Sequence, residues 1–263
     1  MPEIQQLGLN DPLLENFLKD LGFGANHLGH EIYIVGGAIR EELYKDFHDP
    51  NHKKDVDLDL VINTNAIEFI HKYQKFYEDN HDDHISFDIL EEFEQFGTVK
   101  INHPENKKYL IEIASTRTEI YPVPAAFPKV EIIDSIEKDL PRRDFTFNAL
   151  LKSLNKTNYG EIIDHVNGIS DLQKGIVRVF HKDSYIDDPT RIYRALRMVC
   201  EYNFSLSDED HELITQALKN PDFPNWFKKR KNRFAIEKEK IMALGEAKAQ
   251  VATEYFTKLN HKL

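Results

Sequence analysis

Three aspartates stand at alternate positions in Asp55-Val-Asp57-Leu-Asp59-Leu-Val-Ile62, about twenty residues after a glycine pair in Ile32-Tyr-Ile-Val-Gly36-Gly37-Ala-Ile-Arg40. A strand alternates its faces with period two, which puts Asp55, Asp57 and Asp59 on one face and Val56, Leu58, Leu60 and Ile62 on the other. Like charges crowded on one face repel unless cations sit on them. Oxygen ligands at this spacing suit Mg²⁺, which takes one or two carboxylates plus substrate phosphates, the arrangement used in two-metal phosphoryl or nucleotidyl transfer. The same alternation also describes an ordinary solvent-facing edge strand. The glycine pair adds a second signal. A short apolar run ends in Gly36-Gly37 and a helix start follows, so backbone N–H groups and a helix N-terminus are aimed at an anion that Arg40 could also reach.

Further along, Arg142-Arg143-Asp144-Phe-Thr-Phe-Asn148-Ala sets guanidinium forks beside a carboxylate, a pattern for phosphate and ribose hydroxyls. It also describes a helix start capped by Asp144. In Asp187-Asp188-Pro-Thr-Arg191-Ile-Tyr-Arg194-Ala-Leu-Arg197, Asp188 caps a helix with Pro189 at its first position. Arg191 and Arg194 share a face. An acceptor and a fork donor one turn apart can read the polar edge of a base; a cap and a solvated arginine face is the plainer alternative.

These residues must be positioned by a chain of 263 residues, 41% hydrophobic and 30% charged, a balance typical of globular proteins. Its net charge of −11 argues against broad nucleic-acid binding, but Lys228, Lys229, Arg230, Lys231 and Arg233 form a local basic run, either a solvated face or a weak RNA contact. No apolar stretch approaches the ~18–20 residues of a membrane span. No signal peptide is evident, and a lone cysteine, Cys200, fits a reducing cytoplasm.

The patterning predicts a helix over 11–20 with Asp11 as cap, and strands over 32–35, 55–62, 85–90, 97–102 and 109–115. It predicts helices over 38–44 and 66–80, and a hairpin-like interval near 161–180. Three prolines in Tyr121-Pro-Val-Pro-Ala-Ala-Phe-Pro128 exclude regular structure there and predict a mobile loop. An α/β head is expected over residues 1–150 and a mainly helical segment over 151–263.

In order and separation, these motifs resemble those of class II tRNA nucleotidyltransferases, the CCA-adding enzymes, and their bacterial poly(A) polymerase relatives. Phe96-Gly97-Thr98-Val99, Ser115-Thr-Arg117-Thr-Glu119-Ile-Tyr121, Ile163-Asp164, Gly168-Ile-Ser-Asp171-Leu and Gly175-Ile-Val-Arg178 add to the match, which covers about residues 31–245. The resemblance implies an α+β fold, with a polymerase-β-like head of mixed sheet and helices followed by an all-helical neck. It implies Mg²⁺-dependent transfer of A, or C and A, from ATP and CTP to the 3′ end of tRNA. By the same resemblance Asp57 and Asp59 are the catalytic metal ligands, with Asp55/Asp57 as the alternative register. Gly36, Gly37, Arg40, Arg143, Asp144, Asn148, Asp188, Arg191 and Arg194 hold the nucleotide. Residues 117–130 match the loop the family uses for the final A. Asp187 stands where the family usually has Glu. A poly(A) polymerase and a catalytically idle nucleotide-binding remnant are the alternatives. Gln95-Phe-Gly-Thr-Val in place of a Gly-Arg-Arg-Phe-type run favours the tRNA enzymes. The chain ends near the close of the neck, so the resemblance implies that some of the family's tRNA-holding surface is either missing or supplied by a second copy or a partner chain.

Overall fold

The computed structural model describes residues 11–52, 57–80 and 87–258. Asp55, Val56 and the expected strand start at Ile85 lie outside them.

The chain forms two compact units, and it passes between them repeatedly. The first comprises residues 1–118, 130–140 and 148–166; the second comprises 119–129, 141–147 and 167–263.

In the first unit, Asp11 caps α1 (Pro12–His27), its Oδ1 accepting from the Leu13 N–H at 2.9 Å. The helix runs well beyond residue 20, through Gly22 and Gly24. A Cβ at Gly22 would lie 2.0 Å from the Leu154 carbonyl oxygen, so these glycines permit close packing instead of ending the helix. β1 (Ile32–Val35) leads through Gly36 into α2 (Gly37–Phe47), and β2 (Leu58–Ile62) is followed by α3 (Ala66–Asn80). β3 (Ile89–Phe93), β4 (Thr98–Asn102) and β5 (Leu110–Ser115) come next. β6 (Arg117–Ile120) and β7 (Lys129–Ile132) form a separate two-stranded ribbon. After α4 (Ile136–Asp139), β8 (Leu151–Ser153) and β9 (Ile162–Ile163) complete a seven-stranded mixed sheet of order β3-β4-β5-β2-β1-β8-β9. Only the β2–β5 pair in it is parallel. Tyr73 of α3 stacks between Phe69 and Phe87 at 5.7 and 5.8 Å and lies against Gly24 of α1. Each such ring contributes about 1.5–3 kcal/mol through burial.

The second unit is mainly helical: α5 (Gly168–Lys174), α6 (Ser184–Asp187), α7 (Thr190–Tyr202), α8 (Asp208–Lys219), α9 (Phe223–Lys229), α10 (Lys231–Ala243) and α11 (Glu246–Lys258). It is not all helix. β10 (Ile176–Val177) and β11 (Ser205–Leu206) pair in parallel. The expected hairpin near 161–180 is therefore corrected: β9 belongs to the large sheet, and α5 separates it from β10. The apolar stripe Ile192, Leu196 and Val199 is buried as its 3.6-residue spacing requires. Tyr193 meets Phe234 of α10 edge-on at 4.8 Å. Arg197 is spent inside the unit, on Glu237 at 3.0 Å and Glu201 at 3.1 Å. Burial pushes the Cys200 thiol up to about 11, which keeps it neutral.

Among the described residues, no helix is long and apolar enough to cross a membrane.

Candidate active site

The acidic motif sits where β2 begins. Asp57 precedes the strand and is exposed; Asp59 is half-buried; Leu58 and Leu60 face the core. On the aspartate side, burial is complete by Val61. β2 is central, flanked by β1 and β5, so only its entrance reaches solvent, and both described carboxylates lie there. Asp59 pairs with Val35 across the antiparallel β1 ladder. The next residue, Gly36, turns with φ +82°, and a Cβ there would lie 3.7 Å from the Asp59 carboxylate. The glycine turn and the acidic strand, separated in sequence, thus flank one spot. On its other side Asp59 pairs with Glu112 of β5. Paired residues share a face, so Glu112 joins this acidic rim, and no sequence pattern had singled it out.

Arg40 does not project from its helix. It is buried; its Nη1 donates to Asn148 Oδ1 at 2.5 Å and its Nη2 to Glu41 Oε1 at 2.7 Å. Glu41 also meets His52 Nε2 at 2.6 Å. Two residues expected to hold nucleotide, Arg40 and Asn148, therefore brace each other within the first unit. The neighbouring Gly37 opens α2.

The other expected ligands belong to the second unit. Arg194 Nη2 lies 2.6 Å from Asp144 Oδ2, tying the two motifs together. Asp144 Oδ1 accepts from the Phe145 N–H at 2.9 Å. Arg143 is half-buried. Asp188 Oδ1 accepts from the Thr190 N–H at 3.2 Å and the Thr190 hydroxyl at 2.6 Å; the cap position itself falls on Pro189, one residue later than the sequence pattern placed it, so Asp188 braces the first turn of α7 from just before the cap. Arg191 is 4% exposed. Its Nη2 donates to the Arg142 carbonyl at 2.5 Å, while Nη1 is buried with no hydrogen-bond partner. A buried guanidinium N–H left unpaired costs on the order of 1–3 kcal/mol. This unpaired donor belongs to the residue three positions after Asp188.

Tyr121, part of a sequence motif with no role assigned to it, is tied to this group through Glu119 and Arg142, whose carbonyl accepts from Arg191. Burial pushes its phenol pKa upward; the Arg191 charge opposes that and the Asp188 charge adds to it. The hydroxyl donates to Glu119 Oε2 at 2.9 Å, and Glu119 lies 3.8 Å from Arg142. Burial likewise raises Asp187 and lowers His181.

Of the basic run, Lys228, Lys229, Lys231 and Arg233 are exposed and Arg230 is buried. A cavity of about 660 Å³ opens among Val123, Pro124, Trp226, Lys228 and Lys229.

Residues 32–178 match the Poly A polymerase head domain. The A-adding tRNA nucleotidyltransferase of Aquifex aeolicus is 39% identical over 186 residues, 71% of this chain and 20% of that protein. A CCA-adding enzyme in apo form II superposes with a TM-score of 0.78 at 28% identity, covering 99% of this chain and 57% of that one. The Thermotoga maritima CCA-adding enzyme complexed with tRNA gives 0.75 at 26% identity, covering 99% and 55%. The chain thus spans about a fifth of that curated relative and little more than half of these solved chains. The mixed sheet and the family match agree, and the chain belongs to the family of the Poly A polymerase head domain.

Proposed function

We propose that this chain is a Mg²⁺-dependent nucleotidyltransferase that adds A, or C and A, to the 3′ end of tRNA, using ATP and CTP and releasing pyrophosphate. The observation that carries the reading is the buried Arg191 Nη1 without a partner, on the residue three positions after Asp188. A carboxylate acceptor beside a guanidinium donor complements an edge that offers an amino donor and a ring-nitrogen acceptor. Adenine and cytosine both present that edge, whereas guanine and uracil present a carbonyl and a ring N–H. The pair therefore accepts A and C together and leaves G and U with mismatched groups, typically a difference of about 1–3 kcal/mol. The tRNA substrate rests on the relatives, an A-adding tRNA nucleotidyltransferase and a CCA-adding enzyme solved with tRNA. A cytoplasmic setting goes with that substrate.

Asp57 and Asp59 would hold the cation. Two oxygen donors at a strand entrance, one exposed and one half-buried, fit Mg²⁺, which fills its remaining positions with water and phosphate oxygens. The bound ion would activate the 3′ hydroxyl and neutralise the leaving pyrophosphate. The Gly36-Gly37 turn leaves room for close approach to Asp59. Arg143 supplies a guanidinium for the triphosphate, and Asp144, steadied by Arg194, supplies an acceptor for ribose hydroxyls.

The test is incubation of the chain with Mg²⁺, each labelled NTP singly, and tRNA lacking CCA or ending in CC. Incorporation of ATP onto the CC end, with GTP and UTP refused, is the expected result. Long A tracts would make it a poly(A) polymerase. No incorporation of any NTP, with binding retained, would make it an idle remnant.

A further inference from the structure

Arg230 departs from the run of exposed cations around it. Its side chain turns inward and is 7% exposed. Its Nε donates to the Ala125 carbonyl at 2.9 Å and its Nη2 to the Ala126 carbonyl. The guanidinium carbon lies 4.5 Å from the centre of the Phe127 ring. One side chain therefore grips three successive residues of the proline loop, with two N–H donors and one planar face. Ala125 is 3% exposed and left-handed, φ +59°, a backbone state that a non-glycine residue keeps only when its surroundings impose it. Its N–H donates to the Ile186 carbonyl in α6, two residues before Asp188. At the loop's root Tyr121 donates to Glu119, Glu119 lies 3.8 Å from Arg142, and the Arg142 carbonyl accepts from Arg191.

The geometry points to Arg230 as a positioning residue: a guanidinium latch that fixes residues 121–128 within the second unit and so holds Tyr121 and Glu119 against Arg142, the residue that Arg191 bonds. The inference rests on the nucleotide-selecting role proposed for the Asp188–Arg191 pair. It removes Arg230 from the RNA-contacting run, leaving Lys228, Lys229, Lys231 and Arg233 for that task. Lysine is a poor substitute, because one ammonium cannot serve two carbonyls and stack on the ring together.

Hydrogen exchange across 121–130 reads docking directly through the Ala125 amide, and ATP affinity reads its effect on the site. Arg230→Met should raise exchange in that segment more than tenfold and weaken ATP binding several-fold. Arg230→Lys should fall between it and the wild type. Phe127 is 64% exposed, so Phe127→Ala leaves the core intact and keeps the test valid if Arg230→Met fails to fold; it should raise exchange a few-fold. Unchanged exchange in Arg230→Met, or in Phe127→Ala and Arg230→Lys if Arg230→Met does not fold, overturns the latch. Faster exchange with unchanged ATP affinity overturns the coupling to the pair. A wild-type chain that binds no ATP, while the variants still expose the loop, overturns the nucleotide reading and leaves the latch standing.

Discussion

The carboxylates of the two units live under opposite conditions. At the entrance of β2, Asp57 is exposed and Asp59 half-buried, at the one end of a central strand that solvent reaches. In the second unit Asp144, Asp188 and Arg191 are all buried, and each also has a structural bond to keep: Asp144 with the Phe145 amide, Asp188 with Thr190, Arg191 with the Arg142 carbonyl. A group that receives a hydrated cation must stay accessible. A group that reads a base edge must stay dry and fixed, because water would satisfy the wrong base as readily as the right one.

That contrast breaks most visibly if the exposed aspartates are removed. Asp57→Ala or Asp59→Ala should cut transfer on the order of 10³-fold, about 4 kcal/mol, while for the exposed Asp57 stability changes by less than about 0.5 kcal/mol. Parallel measurement of single-turnover rates and denaturant midpoints checks this. If only Asp55→Ala were inactive, the other register would hold the metal. Asp188→Ala should show a mixed outcome. Loss of the Asp188 bonds to Thr190 at the start of α7 costs about 1 kcal/mol of stability, and discrimination against GTP and UTP falls by about 1–3 kcal/mol. A variant that melts earlier with NTP preference intact would reduce Asp188 to a brace for α7.

The smallest effect is at Asp187. Burial raises its folded-state pKa above the ordinary carboxylate value, so the folded protein favours the protonated form. The stabilisation this gives is present below the unfolded pKa of about 3.9 and is lost as pH rises through the folded value. At pH 7 the ionised carboxylate is a net burden. Asp187→Asn should therefore raise the melting temperature by on the order of 1–2 °C at pH 7, and the gain should vanish near pH 3. Thermal melts at the two pH values decide it.

The sequence made the glycine turn, the start of α1, α3, β4, β5 and the α7 stripe legible, because each depends on local chemistry: a cap, a proline at the first turn, a period of 2 or 3.6. It made the site legible as separate motifs. What it could not show depends on tertiary packing. Gly22 and Gly24 look like helix breakers until Leu154 and Tyr73 are seen pressed against them. Arg40 looks like an anion ligand until Asn148 meets it. Arg230 is indistinguishable in sequence from its exposed neighbours, and Glu112 acquires meaning only from its register with Asp59. The loop 121–128 lacks regular structure as its prolines require, yet it is held by contacts from residues more than a hundred positions away.

The division of labour between the two sets of carboxylates is tested most directly by nucleotide preference in binding, measured separately from transfer. Equilibrium affinities for ATP and GTP with Mg²⁺ present should be compared for the wild type, Asp59→Ala and Arg191→Lys. The account predicts that Asp59→Ala keeps the preference for ATP, whatever its absolute affinity. Arg191→Lys, which keeps the charge but loses the Nη1 donor, should bring ATP and GTP within a few-fold of each other. Preference surviving in Arg191→Lys, or lost in Asp59→Ala, would contradict it.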